Sequence, residues 1–387
     1  MDIAIVAVAY NRIDSISRLL SSLEKAYYPE RKNVTLIISV DKSDTDVVEN
    51  YADKYQWKHG KKIVDKHEKN LGLRPHMMSL GKWFDFFDAL VVLEDDIVVS
   101  PNFYFYSCQT VEKYITCSEI AGISLYSFNI NYQTGLPFCP LKDENDVYFM
   151  NCAMSWGEVW MRDSWQKFYN WYKNHVEFPS MPHLPQSICS WNDKSWLKYH
   201  TRYCIEENKY FVHPYNSLTT NYGDAGEHRA GNSSILYQVS LQFGKKETFT
   251  LPDFGDNAVL YDGFFENKCI YKVIGKNEGE ICVDLQGECN NRLNCRYWLT
   301  TRNAKYKLVK SFGLNFRPIE LNVILNNKGT GIFLYDTTIL DDNNKHCERK
   351  ALLYPYQLDN VFSFINKYGL RNTLLDFIEI FKRKIHL

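Results

Sequence analysis

The N-terminal quarter of the chain alternates between short apolar segments and segments with helical periodicity, and this alternation constrains the fold most. The apolar segments are continuous, which is typical of strands buried on both faces. They are IAIVAVA (Ile3–Ala9), VTLIISV (34–40), KIV around Ile63 and ALVVLE (Ala89–Glu94). Residues at helical spacing lie between them: Ile16, Leu19, Leu20 and Leu23, and later Leu80, Phe84 and Phe87. Strands that alternate with helices predict a parallel α/β sheet.

Polar residues follow three of these strands at the point where each strand ends. They are Asn11 and Arg12 after the first strand, Asp41 after the second, and Glu94, Asp95 and Asp96 after the fourth. In open α/β sheets, ligands bind beyond the carboxyl ends of the strands. We therefore expect these side chains to face a ligand site.

The three adjacent carboxylates of residues 94–96 repel one another and resist burial. A divalent cation would neutralise them, and Mn²⁺ or Mg²⁺ takes oxygen ligands together with substrate phosphates. The triplet thus predicts a metal and a nucleotide diphosphate. A solvated turn at the end of a strand is the alternative interpretation.

The composition excludes some function classes and gives an expected location. The 387 residues carry a net charge of -1, which gives no sign of a nucleic-acid partner. The 11 cysteines include no Cys-x-x-Cys pair, so we expect no structural zinc, and their odd number suggests a reducing compartment. The start resembles no signal peptide, and no apolar run is long enough to span a membrane. We expect a cytoplasmic protein.

A change of texture near residue 245 predicts two parts, residues 1–245 and a C-terminal accessory region, residues 246–387, of unknown role. The last segment shows an apolar helical stripe beside basic residues, a pattern of helices that lie on anionic membranes. The stripe is formed by Leu370, Leu374, Phe377, Ile378, Phe381 and Ile385. Packing of this stripe on the preceding domain is the other interpretation.

The segment VVLEDDIVVSPNFYFY resembles the metal-binding segment of the eukaryotic N-acetylglucosaminyltransferase I family. The resemblance implies a GT-A fold, that is, a Rossmann-like mixed, mostly parallel sheet flanked by helices, here with a C-terminal extension. It also implies an inverting glycosyltransferase in which Asp96 binds Mn²⁺ or Mg²⁺ directly. Glu94 and Asp95 would hold the ribose and sugar side of the donor.

Further segments resemble this family in the same order over roughly residues 1 to 235. The resemblance implies donor contacts for Arg12 and for Asp41, which would meet the uracil ring. It implies a catalytic Asp193 in SWNDKSWLKYH, and it points to His228 in GDAGEHRAG near the diphosphate or metal. SWGEVWMRDSW would lie opposite the donor, with Trp156, Gly157 and Trp160 on the acceptor side or, for the tryptophans, in the core.

The segment KNLGLRPHMMSLG departs from that family and is more similar to bacterial family 2 glycosyltransferases. A bacterial relative is therefore implied, and its acceptor is not inherited from the eukaryotic enzyme. Arg74 in this segment would meet a donor phosphate, or it is a surface arginine at a helix start.

Inverting transfer needs charge neutralisation at the leaving diphosphate and a base for the acceptor hydroxyl. Asp193, between Trp191 and Trp196, is our candidate base, because a partly apolar setting would raise its pKa. A helix N-cap is its alternative role. We expect a nucleotide-sugar donor, most simply UDP-linked, and a glycan or lipid-linked glycan acceptor in bacterial surface polysaccharide synthesis.

Two other functions compete with glycosyl transfer. A nucleotidyltransferase that makes sugar nucleotides also uses an α/β sheet and acidic metal ligands. Its Gly-rich, basic phosphate loop is missing from AVAYNRIDS after the first strand. A noncatalytic sugar-binding protein is the third candidate, and the intact triplet and Asp193 argue against it.

Overall fold

The computed structural model describes most of the chain. The described residues are 1–30, 33–179, 181–224, 236–255, 257–289, 295–342, 365–366, 369–371, 373–375 and 377–378. His228 lies outside these residues, as do Phe381 and Ile385 of the C-terminal stripe.

The first part of the chain alternates strands and helices as the apolar pattern predicts. The elements up to the acidic triplet are β1 (Ile3–Ala9), α1 (Ile13–Glu24), β2 (Leu36–Val40), α2 (Val47–Lys54), β3 (Lys62–Lys66), α3 (Leu73–Ser79), a 3₁₀ helix (Leu80–Asp85) and β4 (Ala89–Glu94). The helix predicted around Leu80 is thus a short 3₁₀ helix that follows α3. Gly81 lies within it, and a Cβ atom there would come within 2.6 Å of Trp165 Nε1, so this turn packs closely on a neighbouring helix.

The middle of the chain adds nine shorter strands and four more helices among the described residues. These elements are β5 (Ile97–Val99), α4 (Phe103–Tyr114), β6 (Ile120–Ser124), β7 (Ile130–Asn131), β8 (Leu136–Pro137), β9 (Val147–Met150), β10 (Glu158–Met161), α5 (Arg162–Lys173), α6 (Gln186–Ser190), α7 (Leu197–Glu206), β11 (Tyr210–Pro214), β12 (Thr219–Asn221) and β13 (Leu260–Tyr261).

The described residues form a nine-stranded sheet in the order β13-β9-β11-β6-β10-β4-β1-β2-β3. The strands β4, β1, β2 and β3 run parallel to one another, whereas β10 is antiparallel to both of its neighbours, β4 and β6. This confirms the predicted α/β class with a mixed, mostly parallel sheet. The carboxyl ends of β1, β2 and β4 therefore meet at one edge.

Two apolar layers cover the two faces of this sheet, and β1 contributes to both. Its odd-numbered residues from Ile3 to Ala9 pack with α1, α2 and α4, and its even-numbered residues pack with α3, α5 and α7. Successive side chains of a strand point to opposite faces, so a strand covered on both sides must be apolar throughout. This is why the segment has no polar positions.

A second sheet is built from the C-terminal part of the chain. Its elements are α8 (Ile270–Ile274), a 3₁₀ helix (Glu278–Glu280), β14 (Ile281–Asp284), β15 (Tyr297–Thr300), β16 (Tyr306–Phe312), α9 (Leu321–Ile324) and β17 (Ile332–Leu340). The strand order is β14-β15-β17-β16, and this sheet has its own apolar cluster around Leu299 and Leu334.

Sheet membership differs from the division predicted near residue 245. Phe249, Leu251 and Phe254 pack on the first core, and β13 pairs in parallel with β9 as the edge of the first sheet. The change from the first sheet to the second therefore falls between Tyr261 and Ile281. A texture change marks loops as readily as domain limits, which explains the difference.

The described part of the C-terminal stripe is exposed. Leu370, Leu374, Phe377 and Ile378 have 57%, 51%, 48% and 50% of their surface exposed. No helix among the described residues combines the length and apolar character that crossing a membrane requires.

Candidate active site

The acidic triplet lies at the carboxyl edge of the first sheet. Glu94 is the last residue of β4, and Asp95 and Asp96 form the turn into β5. Arg12, in the loop after β1, lies across from them. Its Nε donates to Asp95 Oδ2 at 3.2 Å, its Nη2 donates to Asp95 Oδ1, and Nη2 lies 3.5 Å from Asp96 Oδ2. One guanidinium thus neutralises part of the charge that the sequence concentrates here.

Raised pKa values of Glu94 and Asp95 reduce the negative charge further. Burial, with repulsion from Asp96, raises the pKa of Glu94 to about 8. Burial raises the pKa of Asp95 to about 6 against the attraction of Arg12. Burial acts to lower the pKa of Arg12, but its contacts with Asp95, together with the charges of Asp96 and Glu94, outweigh this and raise the pKa. Near neutral pH, Glu94 keeps its proton while Arg12 stays charged.

Of the three carboxylates, Asp96 is the one with a buried oxygen that has no partner. Its Oδ1 is buried and accepts no hydrogen bond. An orphaned buried carboxylate oxygen is costly unless a cation or donor completes it. This fits a divalent cation, for which Asp96 would be the protein ligand. No group of three or more His, Cys, Asp or Glu suited to a metal occurs among the described residues, so donor phosphates and water would complete the shell.

Asp41 is buried and organises the loop that follows β3. Its Oδ1 accepts the backbone N–H groups of Lys42 and Leu71, both at 2.9 Å, and its Oδ2 accepts that of Gly72 at 2.9 Å. The carboxylate therefore fixes the start of α3 to the end of β2. The uracil contact expected for Asp41 stays a prediction, now with one lone-pair site left for it.

Arg74, in the first turn of α3, is held by α7. Its Nη1 donates to the hydroxyl of Tyr199 at 2.7 Å, and its guanidinium carbon lies 5.2 Å from the centre of the same ring. Arg74 is therefore a partly buried residue that α7 holds in place, and not a free surface arginine at the helix start. Its phosphate contact stays a prediction.

The surroundings of Asp193 differ from the apolar setting that its neighbours suggest. Its side chain is 95% exposed, and its Oδ1 accepts a hydrogen bond of 2.9 Å from Nζ of the buried Lys198. This bond and the charge of Lys198 lower the pKa of Asp193, so the expected rise is wrong. The helix-cap alternative is also wrong, because α7 begins at Leu197 with Trp196 as its N-cap residue.

Trp196 still connects the Asp193 loop to the triplet. Its indole Nε1 donates to Glu94 Oε1 at 3.3 Å. The tryptophan is buried, whereas Asp193, three residues before it, faces solvent. The loop therefore adjoins the site while its aspartate remains open to an incoming hydroxyl.

In the segment around Gly157, Trp160 and Gly157 are buried and Trp156 is partly exposed. Trp160 is 1% exposed and stacks on Trp165 at 4.1 Å, so it is unable to stack on a sugar, and its expected acceptor role is wrong. Trp156 is partly buried against Tyr126 and stays a predicted acceptor contact. Gly157 has φ of 106°, and a Cβ there would come within 2.8 Å of a Thr219 methyl, so only glycine fits.

The sequence patterns missed a polar group on the other side of Asp96. The backbone N–H of Tyr222 donates to the carbonyl oxygen of Asp96 at 2.8 Å. The guanidinium of Arg18, in α1, lies 3.5 Å from the centre of the Tyr222 ring and forms an ion pair with Asp224. Ser15 donates to the same carboxylate at 2.6 Å. The contacts of Ser15 and Arg18 with Asp224 span more than 200 residues of sequence, which hid this group, although Asp224 is the second residue of the GDAGEHRAG segment.

Comparisons with known proteins give structural likenesses only. No protein-family model and no curated protein matches the chain. Among solved structures, S. aureus TarS 1-349 in complex with UDP-GlcNAc has a TM-score of 0.40 and 13% identity, over 60% of this chain and 62% of that one. The mannosyltransferase PcManGT from Pyrobaculum calidifontis, in complex with GDP-Man and Mn²⁺, has a TM-score of 0.38 and 10% identity over 59% of each chain.

GalNAc-T7 with UDP, GalNAc and Mn²⁺ has a TM-score of 0.38 and 14% identity, over 55% of this chain and 42% of that one. The chain thus spans about three fifths of the TarS 1-349 structure that it matches. At TM-scores this low, none of these likenesses carries an argument about function. Any functional inference therefore depends on the strand order of the first sheet and on the side chains at the carboxyl ends of its strands.

Proposed function

We propose that the protein is an inverting, metal-dependent glycosyltransferase with a GT-A fold. It moves a sugar from a nucleotide-sugar donor, most simply UDP-linked, to a hydroxyl group of a glycan or lipid-linked glycan. The observation that carries this proposal is the buried, unpartnered Oδ1 of Asp96 at the carboxyl edge of a mixed parallel sheet. Arg12, beside it, provides a fixed cation in a site built around carboxylates.

Asp96 would hold Mn²⁺ or Mg²⁺ together with the donor diphosphate. When bound, the cation supplies charge neutralisation for the departing nucleoside diphosphate. Arg12 donates two hydrogen bonds to Asp95 and so orients the turn between β4 and β5. This would hold the Asp96 carboxylate in place for the cation. Glu94 and Asp95 would hold the ribose and sugar side of the donor, and Glu94 can donate a hydrogen bond while it keeps its proton.

Asp193 would take the proton from the acceptor hydroxyl. The ammonium of Lys198 keeps this carboxylate ionised and fixes its Oδ1, which leaves Oδ2 for the acceptor. An ionised, exposed carboxylate is a weak base in water. Exclusion of water by the bound acceptor would strengthen it at the moment of transfer.

The remaining contacts define the two substrate sides. On the donor side we assign Asp41 to the nucleobase of the donor, Arg74 to a phosphate and His228 to the diphosphate. On the acceptor side we assign Trp156 to a sugar ring and Gly157 to the close approach that positions it. Synthesis of bacterial surface polysaccharide is the process that such an acceptor suggests.

A donor screen with and without Mn²⁺ tests the proposal. Purified protein is incubated with a panel of UDP-, GDP- and dTDP-sugars, and release of nucleoside diphosphate is measured. We expect release from one donor class, strongly enhanced by Mn²⁺ or Mg²⁺, and lost in Asp96→Ala with the fold intact by circular dichroism. Asp85→Ala, an exposed aspartate outside the site, is the matched control.

Three outcomes would contradict the proposal. Full metal-dependent activity in Asp96→Ala would remove the metal site. Formation of sugar nucleotides from sugar phosphates and nucleoside triphosphates would indicate a nucleotidyltransferase. Binding of sugars without turnover of any donor would indicate a noncatalytic protein.

A further inference from the structure

Two cysteines of the second sheet lie close enough to react with each other. Cys282 belongs to β14, and Cys289 follows in the loop after it. Their Sγ atoms are 3.5 Å apart, and both thiols are reduced. A disulfide has its sulfurs about 2.0 Å apart, so small side-chain rotations would bring these two into bonding distance.

The backbone of the loop, and not chance side-chain positions, brings the two thiols together. The backbone N–H of Cys289 donates to Asp284 Oδ1 at 2.9 Å, and Asp284 is buried at the end of β14. Gly287, with φ of 78°, lets the chain turn back between them. The short distance between the sulfurs is therefore fixed by the fold.

We propose that Cys282 and Cys289 form a reversible disulfide when the protein meets a two-electron oxidant such as a hydroperoxide. Cys289 is partly exposed and Cys282 is buried, so solvent oxidant reaches Cys289 first. The thiolate of Cys289 attacks one peroxide oxygen and the O–O bond breaks. A sulfenic acid forms on Cys289, and the other peroxide oxygen leaves as an alcohol or water after it takes up a proton.

The second step closes the crosslink without any further reactant. The sulfur of Cys282 attacks the sulfenic sulfur of Cys289, the S–O bond breaks, and the proton of Cys282 leaves with the hydroxide as water. The two thiols together lose two electrons and two protons, which the peroxide takes up. Hydrogen bonding to Cys289 and burial raise the pKa of the Cys282 thiol, which suits its role as the second sulfur to react.

The crosslink would fix a loop of the second sheet that contacts the segment leading out of the first sheet. Gln286, between the two cysteines, donates its backbone N–H to Glu266 Oε1 at 2.6 Å. Glu266 is buried in the segment that leads out of the first sheet. A disulfide from β14 to this loop would therefore hold the contact in place, and we expect slower amide exchange in residues 284–289 after oxidation.

Cys295 is the competing partner, because it packs on the same apolar cluster as Cys282 and Cys289. Burial raises the pKa of its thiol, which disfavours it as an initial nucleophile. The pairing that forms therefore distinguishes a fixed thiol pair from random oxidation of three neighbouring cysteines.

Peptide mapping of the full-length protein tests the pairing. The protein is treated with hydrogen peroxide until the exposed Cys139 is oxidised, alkylated, digested and analysed by mass spectrometry. We expect a peptide pair linked through Cys282 and Cys289 that has lost two hydrogen atoms and is regenerated by dithiothreitol. The link should disappear in Cys289→Ser and persist in Cys295→Ser, and Cys289→Ala checks that any loss is not caused by the serine.

Two results would overturn the proposal. One is a link from Cys295 to either thiol in place of the expected one. The other is full alkylation of Cys282 and Cys289 at a peroxide dose that oxidises Cys139. The experiment needs no donor, so its outcome is independent of the glycosyltransferase proposal.

Discussion

Asp193 and Lys198 form a pair in which only one member is exposed. The Lys198 side chain is 2% exposed, and the Asp193 side chain is 95% exposed. A buried ammonium needs a partner, and Asp193 provides it from the solvent side. The same contact keeps the carboxylate ionised, which a base requires before it accepts a proton.

Asp193→Asn should remove the ability of this side chain to take a proton while keeping its hydrogen bond with Lys198. The amide oxygen can still accept from Lys198, but it takes no proton, so transfer should fall by roughly 10²- to 10⁴-fold. Donor affinity, measured by calorimetry with Mn²⁺, should stay near normal. Asp163→Asn, an exposed aspartate of α5, is the control.

A different result would reassign this residue. If donor affinity collapses while the rate constant is unchanged, Asp193 binds the donor and is not the base. The product should also show the opposite anomeric configuration to the donor by NMR, and retention would contradict a single displacement.

Among the secondary-structure elements, strands buried on both faces could be predicted from the sequence. Pairings between strands that are far apart in the chain could not. β1 is apolar throughout, and β2 and β4 are apolar except for Ser39 and the terminal Glu94, so the sequence alone indicates these strands and the polar residues at their ends. The insertion of β10 between β4 and β6 depends on contacts far apart in the chain. This insertion buries Trp160, which local sequence presents as a possible sugar contact.

The same reasoning explains the outcome at the site. Arg12 and the triplet follow neighbouring strands, so their proximity could be predicted from the order of elements. The environment of Asp193 could not be predicted, because the burial of Lys198 beside an exposed Asp193 depends on how α7 packs on the sheet. The Arg18–Tyr222–Asp224 contacts depend in turn on the pairing of β12 with β5.

The exposed C-terminal stripe gives a prediction about membranes. We expect the full chain to float with anionic liposomes at low salt. The exposed apolar side chains are followed in the sequence by Lys382, Arg383 and Lys384, a combination that suits an anionic surface. The double variant Leu374→Glu, Phe377→Glu should stay in the aqueous fraction. Leu325→Glu, which changes another exposed leucine, should float like the unaltered protein. Equal recovery of all three proteins in the aqueous fraction would leave the stripe without a membrane role.

For the whole molecule, buried histidines should set the acid limit of stability. Burial lowers the pKa of His200 to about 3 and that of His213 to about 4. Both values lie below the unfolded value of about 6.5, so each neutral ring stabilises the fold above that pH. This stabilisation is lost as pH falls from about 6.5 through the folded pKa values.

His200→Phe should therefore reduce the loss of stability in acid. Neither ring nitrogen of His200 has a hydrogen-bond partner, and the ring stacks on Phe168 at 4.1 Å, so phenylalanine fits without losing a bond. Between pH 7 and pH 5, urea unfolding should show about 2 kcal/mol less destabilisation than in the unaltered protein. His183→Phe, at an exposed histidine, should follow the unaltered protein, and equal acid sensitivity in both variants would contradict the assignment.

The position of the edge strand β13 limits where this chain can be joined to a related chain in a chimeric protein. Tyr261 completes the first sheet through β9, and its hydroxyl donates to Glu320 at the start of α9. A chimera joined near residue 245 would separate residues 1–245 from the edge strand of their own sheet. It would also remove Phe249 and Phe254 from the core on which they pack. Exchange of the C-terminal unit between related chains should therefore succeed only with junctions placed after Phe265. The exchanged unit must also provide a hydrogen-bond acceptor for the Tyr261 hydroxyl, as Glu320 does here.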